Sequence, residues 1–411
     1  MGAPQDTDEP PQEGFRSRLA LIAVGVTLFA IGQSLLFTIV SPLARATGLS
    51  EIQFGLVLTL ASLPLVVGAP FWGRRSDRVG RKPIFVFGLA GSAAGTALVA
   101  FALHARMAGW ITVGGLVAGL LVARGLYSAT ASALYPSAGG YIADVTSLAN
   151  RAQGMAMLGA SNSFGAILGP LMAAALSFVG PLFPMYVAAV IMAAGAVTAG
   201  RLLKEPERHR TSDSRSDLRP TDRRIRPFMV MWLAFFLTFS SVQITTAFFI
   251  QDRLGVAEPA GVVRVASICL VAMAVVITVM QGVVFQMRRI RPRVLLRCCG
   301  PAFATSLLVM AAAHSTLGLV AGFAVLGLAF ACATPGISGG ASMTVEPHQQ
   351  GAASGYLAAA NTVGAIFGPL VGTSVYRLGT PAVLYAGAAL FVLVSLYAFT
   401  IEIPEQRYRS I

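Results

Sequence analysis

The chain has 411 residues, 55% of them hydrophobic and only 11% charged, with 30 basic against 17 acidic side chains and a formal net charge of +13. A water-facing surface at this length needs about a quarter of the residues charged, so an ordinary soluble enzyme is excluded, as are a disordered chain and a disulfide scaffold. An apolar excess of this size calls for lipid as the solvent, and the basic excess then has two possible causes: nucleic-acid affinity or membrane topology.

Residues 1–18 are rich in Pro, Asp and Glu and carry no small-residue cleavage signature, so they are expected to form a disordered cytoplasmic tail. The first apolar run, 19–43, is charge-free over more than the roughly 20 residues a helix needs to cross the hydrocarbon. Further runs at 52–72, 84–103, 110–141, 154–178 and 185–203 complete six spans and a first unit, 19–203. Residues 204–226 are polar throughout, with the Arg, Ser, Asp and Pro content of a cytoplasmic linker. Six more runs, at 227–249, 261–285, 294–313, 317–341, 351–376 and 381–401, form a second unit, 227–401, before a cytoplasmic tail, 402–411.

With the N-terminus inside, alternation assigns every loop a side, and 24 of the 30 basic residues then fall in cytoplasmic segments. They include Arg74, Arg75, Arg78, Arg81 and Lys82 after span 2, nine from Arg201 to Arg226, and Arg288, Arg289, Arg291, Arg293 and Arg297 before span 9. Only Arg45, Arg106, Arg253, Arg264 and Arg377 lie outside, and Arg124 lies within span 4. The basic excess is therefore an orientation signal for a multi-pass protein of the cell membrane, with both termini cytoplasmic, and a nucleic-acid partner is not expected. The four Cys, at 269, 298, 299 and 332, sit in or beside apolar runs and fit small buried side chains better than a metal site or a disulfide framework. No cofactor is expected.

A shift of 199 residues lays LGASNSFGAILGPL (158–171) over LAAANTVGAIFGPL (357–370), with nine of fourteen positions identical. Asn162 pairs with Asn361, Gly165 with Gly364, Gly169 with Gly368 and Pro170 with Pro369. The shift spans six helices, an even number, so the two copies share one orientation. The expected fold is all-α: twelve transmembrane helices in two pseudo-symmetric six-helix bundles. Glycines four apart let another helix approach closely and Pro bends the chain, so these residues are expected either to serve packing alone or to form the seam between halves that rock.

Arg124 is the only formally charged residue deep in a span, where an ionisable group costs several kcal/mol unless paired or hydrated. Tyr127, Ala131 and Tyr135 follow at i+3, i+7 and i+11, which gives span 4 one face of cation, small residue and phenols. Other polar residues at depth are Gln33, Ser34, Thr38, Asn162, Ser240, Gln243, Thr246, Gln281 and Asn361, with Phe37, Phe235, Phe239 and Tyr356 as candidate apolar walls. Arg124, Tyr127, Gln33, Thr38, Asn162, Gln243, Thr246, Gln281 and Asn361 are the candidate substrate contacts. A lone buried cation suits a substrate that brings the missing negative charge, although a structural strut tied to backbone carbonyls is the competing reading.

GRRSDRVGRKP, Gly73 to Pro83, resembles the G-x-x-x-D-R-x-G-R-[RK] loop of the major facilitator superfamily. ARGLYSATASA around Arg124 is similar to its span 4 motif, and Gly165, Gly169 and Pro170 match the core of the span 5 motif of its twelve-helix drug:proton antiporters. The chain departs from these patterns at Arg75, Ser128, Ala173 and Ala174. The resemblance spans residues 19–401 and implies a secondary transporter that exports a small drug-like or metabolite molecule by alternating access, with the proton as coupling ion and a monomer as the working unit. It also implies a cytoplasmic latch made of Gly73, Asp77, Arg78, Gly80 and Arg81. No Asp or Glu lies at mid-depth, which leaves Glu51, Asp144 and Asp252, near span ends, as candidates for proton coupling.

Other readings are an exporter or facilitator of siderophores or other metabolites without proton coupling, a membrane receptor or scaffold, and a membrane-embedded enzyme. An enzyme needs convergent nucleophiles, metal ligands or paired carboxylates, and the chain has neither an H-E-x-x-H pair nor a Walker loop.

Overall fold

The computed structural model describes residues 13–146, 148–206, 218–285, 290–346 and 349–401. Twelve helices among them are long and apolar enough to cross a membrane: α1 (Ser17–Ala46), α2 (Glu51–Val79), α3 (Arg81–Met107), α4 (Val113–Val145), α5 (Gln153–Leu176), α6 (Phe183–Leu202), α7 (Arg226–Leu254), α8 (Pro259–Val279), α9 (Pro292–Ala311), α10 (Thr316–Thr344), α11 (Gln350–Tyr376) and α12 (Ala382–Phe399). The expected tails fall largely outside the described residues, but helical backbone reaches back to Glu13, ahead of the expected start at 19. Pro10 and Pro11 precede it, and no further Pro interrupts the chain before Pro42, near the far end of the same helix.

Two departures from regular helix fall at equivalent places in the halves. In α4 the α-helix stops at Ala131 and resumes at Leu134. Pro136 has no N–H for the Ser132 carbonyl, and one turn earlier the Ala133 amide already donates to Thr130 instead, at 3.0 Å. In α10 the run T-P-G-I-S-G, Thr334–Gly339, widens into a π turn at Pro335. Tyr135 therefore does not continue the face of Arg124 and Tyr127 by simple helical spacing, as the sequence reading assumed.

The repeated glycines settle how each half is built. In the first half, Gly165 and Gly169 of α5 lie against α1; a Cβ on Gly169 would sit 3.0 Å from the Ile31 carbonyl oxygen and 2.7 Å from Ser34 Cβ. In the second half, Gly364 and Gly368 of α11 lie against α7, with the Leu237 carbonyl oxygen and Ser240 Cβ at 2.8 and 2.6 Å from the same point on Gly368. Ser34 Oγ donates to the Ala166 carbonyl at 3.1 Å, and Ser240 Oγ to the Ala365 carbonyl at 3.0 Å. These are one contact made twice, inside each bundle. The expectation that the Gly165, Gly169, Gly364 and Gly368 faces form the seam between halves is corrected: that face is spent on the first helix of the same half.

The halves meet through other pairs, α2 against α11, α5 against α8, and α1 against α7 and α8. The linker is fixed at both ends. Glu205 accepts from the Arg81 and Lys82 amides at 2.6 and 3.0 Å, which caps α3, and Tyr141 Oη donates to the Lys204 carbonyl at 2.7 Å. At the other end, Leu218 and Ile225 pack on Val345 and Ala353 of the second half. Asp222 accepts from the Arg224 amide and guanidinium at 2.8 and 3.0 Å, which holds its carboxyl below the usual range.

Candidate functional site

The two ends of the molecule differ. At the end where α1 and α7 finish, Arg45 holds Asp252 through Nη1 and Nη2 at 2.5 and 2.9 Å and Glu51 through Nε at 2.9 Å. Tyr376 Oη donates to Asp252 at 2.8 Å, and the Arg45 guanidinium lies 4.7 Å from the Phe248 ring centre. Just below, Ser41 Oγ donates to the Ile244 carbonyl at 2.6 Å, and Thr59 Oγ1 to the Ile366 carbonyl at 2.9 Å. Each of these last two bonds joins one half to the other. Gly55 of α2 is the glycine at this seam, since a Cβ on it would run into Thr373 Oγ1 and sit 2.9 Å from the Pro369 carbonyl oxygen. Sequence reading missed the roles of Gly55, Arg45 and Tyr376 because their partners in the other half, or on another helix of the same half, are about 125 to 320 residues away and no local pattern marks them.

At the opposite end, Asp77 is exposed and pairs with Arg81 Nη1 at 2.5 Å. Arg81 also reaches Asp144 Oδ2 through Nε at 2.9 Å and Ser76 Oγ through Nη1 at 2.8 Å. Gly80, between α2 and α3, has φ +128°, a conformation that L side chains rarely adopt, and a Cβ there would meet the Glu205 carboxyl. Arg74, Arg75 and Arg78 are exposed. All three acidic residues considered for proton coupling are thus paired with an arginine, Glu51 and Asp252 at one end and Asp144 at the other.

Between the ends, the candidate contacts separate into groups rather than one polar centre. Thr38, Gln243 and Thr246 line a crevice between the halves with Phe37, Ser41, Pro42, Ala247, Ala266, Leu270 and Phe323. The Thr38 and Thr246 hydroxyls are already used on their own helices, donating to the Ser34 and Val242 carbonyls. Asn162 accepts a 2.5 Å bond from Tyr135 Oη. Gln281 donates to the Ala331 carbonyl at 3.3 Å, and Gln33 and Asn361 are half-buried. Two expected walls are not walls: Phe235 is buried in a ring cluster with Phe303 and Phe330 at 4.8 Å each, and Tyr356 Oη is tied to the Leu218 carbonyl of the linker at 3.0 Å.

Arg124 stands apart. It is 7% exposed, and its Nε and Nη1 have no hydrogen-bond partner, nor does the buried Tyr127 hydroxyl next to it. The guanidinium carbon lies 4.9 Å from the Tyr127 ring centre and 5.5 Å from that of Phe37. Beyond it is an apolar crevice walled by Leu36, Phe37, Val40, Phe54, Val57, Leu58, Val99 and Leu120. Tyr127 stacks on Phe29, and Phe29 meets Tyr135 edge-on at 5.7 Å, so the phenols that the helix break separates are rejoined through α1. Neither Nε nor Nη1 meets a backbone carbonyl of the kind a structural strut would use. Among the described residues no cluster of His, Cys, Asp or Glu is arranged to hold a metal.

The chain is 25% identical over 416 residues to the class B tetracycline resistance protein of Escherichia coli, covering 95% of this chain and 97% of that one. It is 26% identical over 382 residues to multidrug resistance protein 2 of Bacillus subtilis (strain 168), covering 89% and 90%. Among solved structures, the human organic anion transporter MFSD10 superposes with a TM-score of 0.66 at 20% identity over 94% of this chain and all of that one. The nucleoside transporter NupG does so with a TM-score of 0.68 at 14% identity over 93% and 99%. The family model of the Major Facilitator Superfamily matches residues 22–299 and 283–410. Twelve helices in two matched bundles, joined at one end by an arginine and holding an unpaired cation between the ends, are thus the frame of a membrane transporter rather than an enzyme, and the chain belongs to the Major Facilitator Superfamily.

Proposed function

We propose that this transporter exports a small amphipathic organic anion, drug-like or metabolic, by alternating access, as a monomer in the cell membrane with both termini cytoplasmic and the proton as coupling ion. The observation that carries the reading is the asymmetry of the two ends. The Arg45 end, which the basic-residue count puts outside, is bonded shut across the halves, while Asp77 at the other end is exposed and, among the described residues, pairs with Arg81 of its own half. That is the arrangement of a carrier closed outward and ready to load from the cytoplasm. Export draws support from the tetracycline and multidrug resistance relatives, and an anionic cargo from the unpaired Arg124 and from the organic anion transporter with the same fold.

Proton coupling has no mid-depth carboxylate behind it, and each end carboxylate is held by an arginine. A substrate panel in everted vesicles, with and without an imposed pH gradient, tests the proposal. Gradient-driven accumulation of carboxylates is the expected result; accumulation indifferent to the gradient would remove the antiport element, and accumulation of cations alone would remove the anionic one.

A further inference from the structure

An unpaired guanidinium in an apolar environment is costly, and the protein offsets part of that cost with two aromatic faces. Tyr127 is the permanent one: it belongs to the same helix and stacks on Phe29. Phe37 is the other, and its position is unlike that of any other residue around Arg124. It lines the apolar crevice beyond the guanidinium and also the crevice between the halves that holds Thr38, Gln243 and Thr246. One ring thus stands between a buried cation and the space that opens and closes during transport. Phe37 is half-buried rather than locked in the core, whereas its neighbours Leu35, Leu36 and Ile39 are fully enclosed.

We propose that Phe37 is a displaceable plug over an anion seat: Arg124 Nε and Nη1 and the Tyr127 hydroxyl are the donors that receive the cargo's carboxylate, and the Phe37 ring holds their place until the carboxylate arrives. The inference rests on the transport reading above and adds the residue that admits the cargo and the chemistry of the group admitted. Arg124 lines a crevice whose other walls are Leu, Val and Phe, its Nε and Nη1 have no acceptor, and the buried Tyr127 hydroxyl, also without a partner, belongs to the next turn of the same helix. Such a seat accepts a compact, weakly hydrated monoanion on an apolar body. It rejects a phosphate dianion, whose water shell the apolar walls cannot replace. It also rejects cations outright. Because a carboxylate must exchange a cation–π contact for an ion pair, the ring sets a threshold: a better π face raises it and an aliphatic side chain lowers it.

Binding of tritiated 1-naphthoate to the full-length protein in lipid nanodiscs tests this, with benzoate, dodecanoate and 1-naphthylmethylamine as competitors. The expected pattern is competition by the carboxylates and none by the amine. Phe37→Leu should bind naphthoate about five-fold more tightly and Phe37→Trp about five-fold more weakly than the parent chain, the size of one partly desolvated cation–π contact. Tyr127→Phe, which keeps the stacking on Phe29, should weaken binding several-fold, and Arg124→Gln should abolish it. Should Arg124→Gln fail to fold, the two Phe37 variants and Tyr127→Phe carry the test unaided. Equal affinity in Phe37→Leu, Phe37→Trp and the parent would overturn the plug, and binding untouched by Tyr127→Phe and Arg124→Gln would overturn the seat. No carboxylate binding in either the parent or Phe37→Leu overturns both. Transport is scored separately: vesicle accumulation indifferent to positions 37, 124 and 127 discards the seat and leaves the carrier, whereas the expected binding pattern without accumulation discards the carrier and leaves the seat.

Discussion

Arg45, in the last turn of α1, grips Asp252, near the end of α7, through two guanidinium nitrogens at 2.5 and 2.9 Å. These two helices are the first of their respective halves, so the closed end is fastened where equivalent elements of the two bundles meet. Gln251 reinforces the contact by donating to the Pro42 carbonyl at 3.5 Å.

The pair is partly solvated, with Arg45 28% and Asp252 35% exposed, so its net worth is about 1 kcal/mol rather than the value of a buried ion pair. Asp252→Asn should therefore shift the balance toward opening at this end by roughly five-fold. Reaction of an Ala247→Cys thiol with an impermeant maleimide, in a chain stripped of its four native Cys, reads that shift. Exchanging the charges, Arg45→Asp with Asp252→Arg, in a Glu51→Gln background that removes the carboxylate beside position 45, should restore protection; no rescue relative to Glu51→Gln alone would mean that the pair does not fasten the gate.

Gly55 and Gly169 should separate closure from folding. A side chain at Gly55 meets Thr373 and the Pro369 carbonyl across the seam, so Gly55→Leu should hold the Arg45 end open and stop transport while leaving thermal stability close to that of the parent. Gly169→Leu overpacks the α1–α5 contact inside a bundle and should cost about 1–3 kcal/mol, seen as a lower melting temperature in detergent. At Gly159, with nothing within 4 Å of its would-be Cβ, substitution by Ala should be neutral or mildly stabilising.

Arg81 should outweigh Asp77 in holding the loop together. Asp77 makes one exposed pair, whereas Arg81 bridges Ser76, Asp77 and Asp144 and is itself largely shielded. Asp77→Asn should change stability by less than about 1 kcal/mol yet impair transport, if the carboxylate engages the second half once the cytoplasmic end closes. Arg81→Ala should lower both, by about 2 kcal/mol in stability, since it strands the half-buried Asp144. Unchanged vesicle transport by Asp77→Asn at normal expression would remove the latch.

Glu205 should matter for a reason unrelated to charge balance. Its two carboxylate oxygens accept the first two amides of α3, so Glu205→Ala should cost about 1 kcal/mol, in the range of lost helix caps. Glu205→Asp, one methylene shorter, should recover little of it. Hydrogen exchange at Arg81 and Lys82 is the direct measure.

Much of the fold is present in the order of the residues. A span must be apolar for about 20 residues because lipid offers no partner to backbone polar groups, so the twelve helices, the polar linker and the duplication around Gly165 and Gly364 all leave marks along the chain. The loop from Gly73 to Pro83 is legible for the same reason: Gly80 needs its positive φ and Arg81 its nearby carboxylate, both local demands. Which face of a helix looks at which neighbour is not a local property. Gly-x-x-x-Gly announces a close approach without naming the partner, and only the packed bundles assign α5 to α1, α11 to α7, and the seam to Gly55 instead.

The site divides along the same line. Sequence alone puts a charge at position 124 in an apolar span, because a formal charge there is visible whatever surrounds it. Whether that charge has a partner depends on atoms brought from α1, α2 and α3, and it is their arrangement that leaves two of its nitrogens bare beneath the Phe37 ring. Pairing of Arg45 with Asp252 across about 200 residues of chain is likewise a product of tertiary contact, since an ion pair depends on distance in space and is indifferent to distance along the sequence.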